Sequence, residues 1–168
     1  MKRILMIIAP INFRDEEFFR PKEVFEKKGF QVTVASKETG RATGMLGGTA
    51  NASKKLEQVN MDEYDAAVFV GGSGASVYFN DETALEIARK ASASNKAVGA
   101  ICIAPSILAN AGILEGKNAT CYPSEKRNLS AKGAVCNEKG VVADGNIVTA
   151  DGPGSAEEFG NRIAELLE

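Results

Sequence analysis

The chain of 168 residues contains no histidine and only three cysteines, Cys102, Cys121 and Cys136. The first absence excludes every catalytic arrangement built on an imidazole, whether a Cys-His-acid triad or a histidine-ligated metal. The cysteines are odd in number and lack metal-ligand spacing, so no metal and no other cofactor is expected, and a reducing cytoplasm is the natural location. No apolar run approaches the roughly 20 residues of a membrane span. The first strand pattern begins at Arg3 and leaves no room for a signal peptide. Charge of one sign never accumulates: 20 Lys and Arg stand against 22 Asp and Glu, a net charge of −2. With those charges interspersed, neither nucleic acid nor a membrane surface is expected as a partner.

What is present is ordinary globular material, 44% apolar and 25% charged, long enough for one domain over residues 1–168 with a full core. The continuous apolar runs 3–9, 66–70 and 97–101 read as strands buried on both faces, and 31–35 as a further strand. Residues 15–28 read as a helix with acids early, lysines late and Gly29 just past its end; Pro21 kinks that helix or lies near its start. Residues 37–55, rich in Gly, Thr, Ala and Lys, suggest a short hairpin or loop. Asn80 or Asp81 is placed to cap a helix to about residue 94, and 103–111 reads as another helix closed by Gly112. Short strand signals follow at 119–120, 141–143 and 147–150. Ser155 and Glu158 form a capping-box pattern opening a C-terminal helix. Strands alternating with helices predict an α/β doubly wound sandwich, its mostly parallel sheet covered by helices on both faces and its ligands at the strand C-termini.

Cys102 falls where the strand pattern of 97–101 turns directly into a helix pattern. A cysteine in an apolar run is commonly just a small buried hydrophobe. At a helix N-terminus, however, unpaired N–H groups favour the thiolate, and the small neighbours Gly99, Ala100 and Ala104 permit the tight turn of a nucleophile elbow. The run Gly71-Gly72-Ser73-Gly74 is either a plain turn or a backbone cradle for an oxyanion at the same sheet edge. Asp15, Glu16 and Glu17 are either a solvated first turn or include one carboxyl that enters the site with a raised pKa and moves a proton. The residue types do not choose among the three. Cys121 and Cys136 read as structural, Tyr122-Pro123 as a turn, and Asp151-Gly-Pro-Gly154 as a rigid turn presenting a helix N-terminus, with an anion site there as the second reading.

Taken in order, Asp15-Glu-Glu-Phe-Phe-Arg-Pro21, Val70-Gly-Gly-Ser-Gly74, Ala100-Ile-Cys-Ile-Ala-Pro105, Tyr122-Pro123 and Asp151-Gly-Pro-Gly-Ser-Ala-Glu-Glu-Phe159 span nearly the whole chain. The set resembles the ThiJ/PfpI family, which includes the Parkinson-disease-associated protein deglycase and falls in the class I glutamine-amidotransferase-like superfamily. The resemblance implies a flavodoxin-like sandwich, usually homodimeric, with Cys102 as elbow nucleophile and Glu17 as the carboxyl hydrogen-bonded to its sulfur. It implies an oxyanion hole from the backbone N–H groups of Gly72 and Ile103, with Gly71, Ser73, Tyr122 and Pro123 lining the site. Protease-like members carry a histidine directly after the cysteine, where this chain has Ile103, and draw a glutamate from the neighbouring subunit. The matching stretch here, Gly74-Ala-Ser-Val77, has no carboxylate. Deglycase-like members place a histidine before the proline, where this chain has Tyr122.

Glu17 is therefore the one obvious proton carrier, and peptide hydrolysis is disfavoured; an intracellular cysteine peptidase ranks below the other readings. The function expected is a Cys102-dependent deglycase or glyoxalase acting on small reactive carbonyls or glycated protein. The alternative is a non-enzymatic oxidative-stress protein that senses oxidants through Cys102. A third reading is a dimeric scaffold whose elbow cysteine is vestigial.

Overall fold

A computed structural model describes the whole chain, Met1–Glu168. In chain order the strands are β1 (Arg3–Ile7), β2 (Ile11–Phe13), β3 (Gln31–Ser36), β4 (Gly40–Gly44), β5 (Thr49–Ala52), β6 (Lys54–Lys55), β7 (Ala66–Phe69), β8 (Ala97–Ile101), β9 (Asn118–Ala119), β10 (Val135–Cys136), β11 (Val141–Asp144) and β12 (Ile147–Ala150). The helices are α1 (Asp15–Lys27), α2 (Glu82–Ala93), α3 (Pro105–Asn110), α4 (Lys126–Ala131) and α5 (Ala156–Leu167). Seven strands form the central sheet in the order β11-β12-β8-β7-β1-β3-β6, and only the β11–β12 pair is antiparallel. This is the expected doubly wound α/β sandwich.

Alternation along the buried strands divides the core in two. Ile4, Met6 and Ile8 of the first strand and its extension join Phe18 and Phe25 of α1 and Phe159 and Ile163 of α5. Leu5 and Ile7 face the other way, onto Ala84, Ala88 and Ala91 of α2 and Ile107 and Leu108 of α3. Continuous apolar strands are therefore required, since both faces are covered. Gly99 in β8 faces α5 so closely that a Cβ there would lie 2.5 Å from Ile163 Cδ1.

Several local expectations hold and several shift. Asp81 is the cap of α2: its Oδ1 accepts from the backbone N–H of Thr83 (2.9 Å) and Ala84 (3.3 Å). Residues 40–52 form the β4–β5 hairpin, which β2 extends to a small three-stranded sheet. The helix through Pro21 is unbroken from Asp15 to Lys27. Pro21 has no N–H to give the Glu17 carbonyl four residues earlier, but its ring is buried against Gly160 of α5. The strand signal at 119–120 is realised as β9, outside the main sheet and paired with β10.

The capping box is a correction. Ser155 does precede α5, but its side chain makes no cap bond and instead donates to Asp151 Oδ1 at 2.8 Å. Its φ and ψ of −103° and 6° depart from the extended conformation from which a capping hydroxyl reaches N3. The third helix is also shorter than expected, starting at Pro105 rather than 103.

Candidate active site

Strand β8 ends at Ile101, and the next residue breaks the strand by taking a left-handed conformation, with Cys102 at φ 65°. For a residue with a Cβ this costs about 1–3 kcal/mol, and it persists where the surroundings over-determine it. They do so here. The Cys102 N–H donates to the Ala150 carbonyl at the end of β12 (2.9 Å), and its carbonyl accepts from the Tyr122 N–H (2.8 Å). The sulfur-bearing residue is thus pinned on both sides at the C-terminal edge of the sheet and is only 9% exposed.

The glycine loop after β7 packs directly on this elbow. A Cβ on Gly71 would lie 2.5 Å from the Ile101 carbonyl oxygen, 2.7 Å from Cys102 Cβ and against Glu17 Oε1. Gly72 has φ 101°, and a Cβ there would lie 2.6 Å from the Asn12 carbonyl oxygen. The Gly71 carbonyl in turn accepts from the Arg14 N–H at 3.0 Å, tying the loop to the start of α1. The backbone N–H groups of Gly72 and Ile103 both act on the Cys102 sulfur and favour its ionised form.

The three acids at the start of α1, equivalent in the sequence, have three separate positions. Asp15 turns outward to the hairpin, its Oδ1 accepting from Leu46 N–H and its Oδ2 from Gly48 N–H, each at 2.8 Å. Glu16 pairs with the Arg14 guanidinium, Nε to Oε1 at 2.8 Å and Nη2 to Oε2 at 3.1 Å. Glu17 alone enters the site. It is fully buried, and neither carboxyl oxygen meets a donor at hydrogen-bonding geometry. Its polar neighbours are the Cys102 thiol and the Gly71 amide.

The electrostatics follow from that burial. Desolvation pushes the Glu17 carboxyl up to about 8, against the smaller opposing effects of the Cys102 thiol and the Arg14 charge. Burial, and then the Glu17 charge, push the Cys102 thiol up to about 12, against the two amides. The expectation of a thiolate favoured by a helix N-terminus is corrected here: the short α3 begins three residues beyond the sulfur, and burial outweighs the two amides. Cys102 and Glu17 are a coupled pair whose first proton is lost far more readily than the second, because two adjacent buried charges repel. After that first loss, a single negative charge serves both groups. A carboxylate at this position can take the thiol proton, and a carboxyl can return it.

Other expected site residues sit further out. Ser73 is exposed, and its N–H points at Met45 Sδ (3.5 Å) on the hairpin turn. Tyr122 reaches Cys102 through its backbone, while its half-exposed side chain makes no hydrogen bond. Pro123 lines a separate cavity of about 220 Å³ with Thr120, Cys121, Lys126, Glu138 and Asp151. A larger cavity, about 540 Å³ between α1 and α5, is lined chiefly by charged side chains and by no cysteine. Cys121 is buried, and its thiol is pushed up to about 12 by burial and then by Cys136. The turn at Asp151–Gly154 holds a carboxylate engaged by Ser155, which argues against an anion there. No group of three or more His, Cys, Asp or Glu is placed to hold a metal ion.

Arg14 is the participant that sequence reasoning passed over. It is the residue before α1, where the positive helix terminus disfavours a cation. A basic residue set directly before three acids was the available signal.

Comparison with known proteins bears on the family and the fold. The profile of the DJ-1/PfpI family matches residues 2–166. A protein of Methanocaldococcus jannaschii is 43% identical over 169 residues, covering 99% of this chain and 82% of its own length. A deglycase of Pyrococcus abyssi is 35% identical over 98% of this chain and 99% of its own. The crystal structure of a ThiJ/PfpI domain protein from Brachyspira murdochii superposes with a TM-score of 0.96 at 37% identity, covering 98% and 95% of the two chains.

Proposed function

Because the chain belongs to the DJ-1/PfpI family, we propose that it is a Cys102-dependent enzyme acting on small reactive carbonyls or on their adducts with protein. The observation that carries this reading is Glu17, a buried carboxyl raised to about 8 beside the only thiol on the elbow. In the first step Cys102 Sγ forms a bond to the carbonyl carbon as the C=O π bond breaks. The thiol proton passes to the Glu17 carboxylate and then to the new alkoxide oxygen, giving a neutral hemithioacetal. The backbone N–H groups of Gly72 and Ile103 stabilise the alkoxide while it exists. Relatives named as deglycases support the substrate class. With no imidazole in the chain, Glu17 carries the proton alone. The test is turnover of methylglyoxal, and recovery of the free lysine side-chain amine in a glycated peptide, by wild type and Cys102→Ser. Turnover by wild type alone is expected; equal rates overturn the reading.

Oxidation at Cys102 is the second reading, favoured by the two orphaned Glu17 oxygens. Once protonated, that carboxyl has a hydrogen to donate to an oxygen on sulfur. Mass addition at Cys102 before Cys121 or Cys136 under mild peroxide is expected from it, and earlier oxidation of either other thiol overturns it. We also propose a homodimer in a reducing cytoplasm, supported by the family resemblance and three free thiols. A single-chain mass in sedimentation equilibrium overturns the dimer. No helix is long and apolar enough to cross a membrane.

A further inference from the structure

The guanidinium of Arg14 is held at the site but not used up there. Its backbone N–H is fixed on the Gly71 carbonyl, so the residue stands on the same loop whose next amide faces the Cys102 sulfur. One edge of the fork, Nε and Nη2, is taken by Glu16. The other terminal nitrogen, Nη1, has no hydrogen-bond partner. The side chain is 31% exposed, so a solute can reach it. Its backbone packs on Gly72 so closely that a Cβ there would meet the Arg14 nitrogen, and its positive charge is felt by both Glu17 and Cys102. The second observation is Glu17 itself, a fully buried carboxyl aimed at the elbow with both oxygens unpartnered.

These features define two receptors joined by the glycine loop: a carbonyl position at Cys102 between the Gly72 and Ile103 amides, and a half-free planar cation carried by the residue fixed on Gly71. A neutral aldehyde would use only the first. Resting on the proposed carbonyl chemistry, we propose that the substrate is a small carbonyl compound bearing a carboxylate next to the reacting carbon, and that Arg14 is the specificity-determining residue that binds this carboxylate. A guanidinium fork matches a carboxylate in plane and in spacing. The ion pair with Glu16 is partly exposed at the surface, and surface pairs contribute little to stability, so exchanging part of it for a ligand costs little. Once the carboxylate is seated, the carbonyl adds Sγ as described, with the proton passing through Glu17, and the anionic group takes no part in bond making.

Two alkylating probes read this preference without any turnover. Iodoacetate and iodoacetamide react with the same sulfur by loss of iodide and differ in a carboxylate against an amide. The measured quantity is the ratio of their rates at Cys102, followed by mass spectrometry of the Cys102 peptide. Wild type is expected to favour iodoacetate more than free cysteine does. In Arg14→Gln the ratio falls about tenfold, the factor corresponding to one lost charge-assisted hydrogen bond. In Glu16→Gln it rises, because the competing negative charge is removed. Arg20→Gln, an exposed arginine on the same helix, leaves it unchanged. An unchanged ratio in both Arg14→Gln and Glu16→Gln, or an equal fall in Arg20→Gln, overturns the proposal.

A second arm compares kcat/KM for glyoxylate and methylglyoxal. Wild type favours glyoxylate, and Arg14→Gln loses that preference. If neither compound is turned over while the alkylation ratio follows Arg14, the carbonyl-enzyme reading fails and the anion site stands. If methylglyoxal is turned over and the ratio ignores Arg14, the anion site fails alone.

Discussion

Glu17 decides the chemistry and the pH response of the site. Its carboxyl rises from 4.5 to about 8 on burial. The folded protein therefore holds a proton that the unfolded chain has released between those values, and the contribution to stability is complete below about 4.5. As pH rises to 8, that contribution is lost at up to about 1.4 kcal/mol per pH unit. Glu17→Gln keeps a neutral side chain throughout. The variant is expected to unfold at higher urea than wild type at pH 8 and to match it near pH 4.5; coincident midpoints at both pH values would show that the carboxyl is not held neutral. Reactivity runs in the opposite direction. Alkylation of Cys102 in wild type is expected to rise through about pH 8, where the pair loses its first proton. In Glu17→Gln that inflection disappears, and the rate at pH 8 falls about 10²-fold or more with the general base removed. One residue thus trades stability for function. Its identity as the site carboxyl could not be read from local pattern, since Asp15, Glu16 and Glu17 are adjacent acids in one helical turn; family resemblance singled it out, and helix rotation against the sheet supplies the physical reason.

The elements matter through where they stop. Strand β8 and the glycine loop meet with no room for a Cβ at Gly71 or Gly72, and Gly72 also needs φ 101°. Gly72→Ala is expected to destabilise the fold by about 2 kcal/mol or more through strain and displaced backbone, and to lower Cys102 alkylation because the shifted Gly72 amide no longer faces the sulfur; a chemical denaturation curve and the iodoacetamide rate check both. The hairpin is fastened by Asp15, whose carboxylate takes two amides of the turn. Asp15→Ala should free the amides of Leu46 and Gly48, seen as faster hydrogen exchange there, and cost about 2–3 kcal/mol for a charged hydrogen-bonding partner. The elbow itself was legible, because small residues flank a cysteine at a strand-to-helix switch. The capping box was not: Ser155 and Glu158 have the right spacing, yet Asp151 takes the hydroxyl. Short-range patterns report which partners are available, and a competing acceptor four residues earlier wins when the turn brings it nearer.

At the scale of the molecule, the site depends on two cores that fix the sheet from both sides. Phe159 and Ile163 of α5 close one of them over Gly99, three residues before Cys102. Phe159→Ala should cost about 3–5 kcal/mol and lower Tm by roughly 10 °C, measured by calorimetry. Strand burial, helix alternation and the single elbow thiol follow from the sequence itself, because periodicity and side-chain size act between near neighbours. The same local logic establishes that no imidazole is available. Tertiary structure supplied the rest: the physical reason that Glu17 and not Asp15 is buried at the elbow, the seat of Arg14 on the glycine loop, and the rise of the thiol where a fall was expected. Those outcomes depend on burial and on charges from separate segments, α1, the glycine loop and the elbow, which become neighbours only when the sheet closes.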